Sequence, residues 1–280
     1  RLAAALIRTK PAPNRWPETV TFDFDTLQFI RPTGVVFLHN LIRWLQAKDC
    51  TVSFRNHKKN RPPLNYLRDA RFFSTHINSY DMSGSVTRST TKALVEVRHS
   101  ASHAWIRRQL IPWISSESGA DEASLYGLRS CFSELFNNIR DHTRHDIGSV
   151  FAQHFPHEHS IIISLSDMGI GIPRNVRKVR RELGDGDCIV EAVKCGFTTG
   201  SVPTNAGMGL DQLLQTVVTT LNGRVSIYSG KGMVACEQRI RGIRSKRLDA
   251  VGHCPGTTIE ILIRTDRIPK RTDDVEDLEW

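Results

Sequence analysis

The sequence predicts an α/β fold in two modules, on three observations. Between residues 20 and 54 a strand pattern, a helical pattern and a second strand pattern follow one another with short connections. From residue 101 onward helical spacings alternate with β-branched runs. Between them DMSGSVTRSTTK (81–92) is rich in Ser, Thr and Gly and has no apolar rhythm. The boundaries that follow are an interaction module over 1–82, a linker or connecting strand over 83–100, a larger module over 101–270 and an acidic tail over 271–280.

Taken in order, Val20-Thr21-Phe22-Asp23-Phe24 alternates like a half-buried strand. Val35, Leu38, Leu41, Ile42 and Leu45 then recur at helical spacing, with Thr33 as the expected N-cap. Thr51-Val52-Ser53-Phe54 reads as the returning strand, which makes a βαβ unit. NYLRDARFF suggests one more short helix. In the larger module, 93–97 reads as an entering strand, 104–114 and 125–142 as helices, and 159–166 (HSIIISLS) as a buried strand. Helical patterns follow at 187–196 and 208–222, and strands at 224–228, 233–238 and 257–264.

Composition bounds the function. Of 280 residues, 39% are hydrophobic and 24% charged, a globular balance that excludes a largely disordered chain. The net charge of +9 is uneven: residues 1–100 carry 16 Lys and Arg against 7 Asp and Glu, and the remainder carries 22 of each. The basic character therefore belongs to the front module and to what it docks on. No apolar run reaches the roughly 18 residues of a membrane span. The opening RLAAALIRTKPAPNRW is broken too early by charge and proline for a signal peptide. It has no initiator Met, so the chain is expected to begin downstream of its natural start. Six cysteines without a CxxC pair suit reduced thiols and a cytoplasmic location.

Three segments carry chemistry. In the first, Glu134, Asn138 and His142 lie four residues apart and share one helical face, with Asp141 beside them. A carboxamide oxygen can ligate Mg²⁺, and a carboxylate one turn away can take a proton from water. The second is Asp167-Met168-Gly169-Ile170-Gly171-Ile172-Pro173, directly after the buried strand. Its carboxylate can accept from an exocyclic amine, and its glycines let the backbone approach a flat ligand. The third is Gly207-Met208-Gly209-Leu210, opening a helix after GFTTGSVPTNA, where Thr198 and Thr199 add hydroxyls. Backbone N–H groups at a helix start favour anions. Singly, these are also a solvated polar stripe, a common turn and a loop.

In this order, ExxxNxxxH, DxGxGIP and GxGL, with Gly256-Thr257-Thr258 before the last strand, resemble the GHKL (Bergerat) ATP-binding superfamily over about 103–266. The resemblance implies a two-layer α/β sandwich with a mixed sheet, and ATP and Mg²⁺ as cofactors. It implies Glu134 as general base, Asn138 as metal ligand and Asp167 as reader of the adenine amine. Gly169, Gly171 and Ile172 would shape the nucleotide pocket, with Thr257 from the final box. Gly207, Met208, Gly209, Leu210, Thr198 and Thr199 would bind phosphate, and Asp141 and His142 would support the site. The front module resembles, less closely, a STAS domain, with Arg31-Pro32-Thr33-Gly34 in place of its phosphoacceptor turn.

The expected function is a Mg²⁺-dependent ATPase whose nucleotide state controls a protein partner, with serine/threonine kinase activity as one output. The alternatives are an ATP-gated homodimeric switch in a defence or nucleic-acid-processing complex and a non-catalytic ATP-binding module. Two basic runs, Arg239 to Arg247 and Arg177 to Arg181, could also grip phosphates. The HFPHEH segment (154–159) is expected to be a polar hairpin loop rather than a zinc site.

Overall fold

The computed structural model describes residues 16–83, 86–143, 146–194, 209–240 and 242–270, without the side chains of 142 and 249–251. Two parallel strands, β1 (Thr19–Asp23) and β2 (Thr51–Arg55), flank helix α1 (Pro32–Gln46). This is the expected βαβ unit. Pro32 fixes φ at the first helical position and Arg31 is the capping residue, so the helix begins two residues earlier than Thr33 would allow as a cap. Thr33 is therefore not the N-cap. The NYLRDARFF segment holds two helices rather than one: α2 (Pro62–Asp69) and α3 (Phe72–His76), parted at Arg71, which sits in the left-handed region at φ 62°.

The larger sheet has five strands in the order β3-β4-β5-β7-β6: β3 (Thr91–Arg98), β4 (Ile147–Phe155), β5 (Ser160–Asp167), β6 (Arg224–Arg239) and β7 (Gly242–Arg264). Every neighbouring pair is antiparallel, so the mixed sheet expected for this module is not what forms. The reason is connectivity: β4 and β5 are joined by a tight turn at Pro156–Glu158, and β6 and β7 form one long hairpin, neither of which allows a parallel crossover. HFPHEH thus straddles a strand end and a turn, as expected of a loop, although His154 belongs to β4 and bonds Glu117 at 2.8 Å. The strands expected at 224–228 and 233–238 are a single β6, and 257–264 is the second half of β7. β4 was not expected at all.

One face of the sheet carries helices α4 (His99–Trp105) and α5 (Ile111–Ser118), joined through a π-helical turn, α6 (Tyr126–His142) and α9 (Gly209–Leu214). Short helices α7 (Ile172–Val176) and α8 (Asp185–Ala192) pack near its β6 edge. Ile161, Ile163 and Leu165 of β5 and Ile259, Ile261 and Ile263 of β7 enter this core, with Phe132, Phe136 and Val217 from the helices. The alternate positions face the other way and meet α1. Phe151 of β4 and Leu94 of β3 join Val35, Leu41, Ile42, Phe72 and Phe73 in a second core. The layers run helices, five-stranded sheet, α1 and two-stranded sheet.

The interface between α1 and the sheet is also polar. Thr33 bonds Ser164 at 3.1 Å and donates to Glu260. The buried Asn40 amide donates to the backbone carbonyl of Asp167 at 2.5 Å. Glu96 of β3 accepts from Arg43 at 2.6 and 2.7 Å and from His39 at 3.1 Å, while the second His39 nitrogen meets His76 at 2.9 Å. Those bonds hold the Glu96 carboxyl well below the usual range, His39 contributing most. Burial lowers His76 to about 3. The five described cysteines are buried and unpaired. Among the described residues no helix is long and apolar enough to cross a membrane.

Candidate functional site

Helix α6 presents Glu134, Asn137 and Asn138 half-buried on the side where α9 begins. Gly209, the first residue of α9, lies so close that a Cβ there would stand 3.4 Å from Asn138 Nδ2, 3.4 Å from Glu134 Cβ and 3.7 Å from Glu134 Oε2. The first and third segments, about 70 residues apart in sequence, therefore meet. Leu210 secures the contact by packing against the main core. Glu134 is oriented by a neighbour that the sequence reading did not single out. Asn137 Nδ2 donates to Glu134 Oε1 at 3.3 Å, and Asn137 Oδ1 meets His99 Nε2 at 3.0 Å. A carboxylate held on one oxygen keeps the other free to accept a proton.

Asp167 ends β5, in register with Thr257 of β7. Its Oδ1 accepts from the Gly169 N–H at 2.6 Å, and the Thr257 backbone also bonds the carboxyl. Burial outweighs these bonds and pushes Asp167 up to about 6. The turn that follows demands glycine. Gly171 has φ 81°, and a Cβ there would stand 2.8 Å from Ser229 Oγ. Gly256 has φ 67°, and a Cβ there would fall 2.1 Å from the Asp167 carbonyl oxygen. A side chain at either position would drive apart the strand ends that frame Asp167.

Ser229, also absent from the sequence reading, ties the turn to both long strands. Its hydroxyl accepts from the Ile172 N–H at 2.9 Å and donates to the Gly256 carbonyl at 2.7 Å. Thr257 Oγ1 lies 3.3 Å from the same hydroxyl, and Ile172 rests against the main core. Ser229 and Asn137 each sit beside a motif residue, but polar residues in a strand or helix carry no spacing signal of their own.

Asp141 lies exposed near the end of α6 and accepts from Arg140 at 2.8 Å, rather than joining the other segments. The His142 side chain, Thr198, Thr199, Gly207 and Met208 lie outside the described residues. A cavity of about 600 Å³, lined among others by Tyr66, Arg88, Gln153 and His157, contains none of the motif residues.

The donor set suits a hard, hydrated cation rather than an enclosed metal. Among the described residues no group of three or more His, Cys, Asp or Glu could hold a metal ion. Mg²⁺ is commonly held by one or two protein oxygens together with phosphates and water, and the Asn138 carboxamide beside Glu134 meets that requirement. The arrangement thus offers an acceptor for an amine in a glycine-framed turn, and a base beside a neutral metal ligand at a helix start. Compared with models of known protein families and with curated proteins, the chain gives no match.

Proposed function

We propose that the chain is a Mg²⁺-dependent ATP-binding and ATP-hydrolysing regulatory protein of GHKL type, carrying a STAS-like front module. The observation that supports this reading best is the approach of Gly209 to Glu134 and Asn138. It puts a candidate base, a candidate metal ligand and a helix start together at one point. Asp167 supplies the second anchor, a carboxyl already fixed by backbone donors before a base arrives.

In this reading the adenine amine donates to Asp167, and Thr257 and the Gly169–Ile172 turn close around the ring. Glu134, oriented by Asn137, takes the proton from the oxygen that attacks the γ-phosphate. That oxygen belongs to water in hydrolysis and to a Ser or Thr hydroxyl in transfer to a partner protein. Asn138 would hold Mg²⁺, which when bound neutralises charge on the phosphates. Thr33 is already engaged by Glu260 and Ser164, so an acceptor hydroxyl is sought on a partner rather than at this turn.

The test is phosphate release and transfer from labelled ATP with Mg²⁺. Glu134→Gln should lower turnover at least about 100-fold with KM little changed. Asn138→Ala should lower turnover and raise the Mg²⁺ concentration needed for half-maximal rate. Unchanged turnover in both variants would refute the assignment.

A further inference from the structure

The β6–β7 hairpin outgrows its sheet. Pairing of β5 with β7 stops at Thr257, yet β6 and β7 stay in register from Gly232↔Asp249 to Arg239↔Gly242. Eight residues of two-stranded ribbon span roughly 27 Å at the antiparallel rise. One side of this ribbon is covered. Val234 and Cys236 are fully buried in a cluster that includes Ile189 of α8, and Arg247, opposite Val234, donates to Asp187 of the same helix. The base is fixed as well, by the Lys231 N–H to Asp185 at 2.6 Å.

The other side is open. Cross-strand pairs share a face, so it carries Met233 with Leu248, Ala235 with Lys246, Glu237 with Arg244 and Arg239 with Gly242. Arg239, Arg244 and Lys246 are exposed there. Glu237 is the one acidic residue among these and is paired with Arg239 at 2.6 Å. Arg244 and Lys246 have no anionic partner among the described residues. Ile240, at the ribbon's tip, is 105% exposed. Arg241 lies outside the described residues.

We propose that this ribbon is a binding surface for double-stranded DNA. Its cations are strung along the strands from tip toward base. That suits a line of phosphates better than a plane of lipid headgroups, which would favour a ring of charge about the tip. A two-stranded ribbon fits the major groove of B-form DNA, whereas the deep, narrow groove of A-form RNA does not admit it. None of these ribbon residues belongs to the Glu134–Asn138 contact or to the Asp167 turn, so DNA binding here is independent of nucleotide binding there.

The experiment titrates the full chain with a fluorescent 20-base-pair DNA duplex from 50 to 200 mM salt. Parallel arms use an RNA duplex of the same sequence and vesicles containing phosphatidylserine. The double variant Arg244→Gln, Lys246→Gln is measured alongside. The proposal expects DNA binding that weakens with salt, and a log–log slope about 2 units shallower in the double variant at an unchanged melting temperature. Failure to bind DNA, an unaltered slope in the variant, or preference for the RNA duplex or the vesicles would overturn it.

Discussion

At Asp167 the proposed adenine contact and the stability of the fold pull in opposite directions. Its carboxyl is raised to about 6 because burial outweighs the bonds from Gly169 and Thr257. The folded chain therefore holds this proton more tightly than the unfolded chain does. Above about pH 6 the ionised group opposes folding, and between about 6 and 4 its protonation favours the fold. Asp167→Asn should raise stability at pH 8 by about 1–2 kcal/mol after allowance for partial exposure. The same change should weaken ATP binding, because the charged acceptor is lost. Urea unfolding and nucleotide titration of one variant read the two effects separately. Asn137→Ala offers a second check at this scale: turnover should fall about tenfold or more through a poorly oriented Glu134, with ATP affinity held.

At the level of elements, α1 decides what β4 and β5 look like in sequence. β5 is buried on both faces because helices cover one side and α1 the other, which is why HSIIISLS stands out as a dense apolar run. β4 has the same surroundings, but its GSVFAQHF mixes Ser, Gln and His with apolar residues and shows no period to read. Its polar groups are satisfied by partners distant in sequence, such as Gln153 with Thr91 and His154 with Glu117. The helices carrying Glu134 and Gly209 and the strand ending at Asp167 were legible, because periodicity and glycine are local signals. Strand direction and the links made by Asn40, Asn137 and Ser229 were not, because they exist only once the chain has folded. Phe151 is the clearest case, a fully buried ring from β4 in the front module's core. Phe151→Ala should cost about 3–5 kcal/mol by chemical denaturation.

At the scale of the whole molecule, the front module and the larger sheet share a core, so the change of composition near residue 81 marks a junction rather than a gap between independent units. The polar part of that junction is acid-sensitive. His76, lowered to about 3, is neutral when folded but protonates below about 6.5 when unfolded. Glu96 is held below its usual value of 4.5, so the unfolded chain again takes up the proton first. His76 removes stability as pH falls below about 6.5 and Glu96 only below about 4.5, both opposite in sign to Asp167. Urea midpoints between pH 7.5 and 4 should therefore decline less steeply in His76→Phe and more steeply in Asp167→Asn than in the wild type. The junction also passes one contact directly to the candidate site, since Asn40 of α1 holds the carbonyl of Asp167. The measurement that tests the central claim most directly is calorimetric titration of the full chain with Mg-ATP and Mg-GTP, repeated on Asp167→Ala. The account predicts saturable one-to-one binding of ATP, much weaker binding of GTP, and at least a tenfold loss of ATP affinity in the variant. No heat of binding with ATP, or equal affinities for ATP in the two proteins, would contradict it.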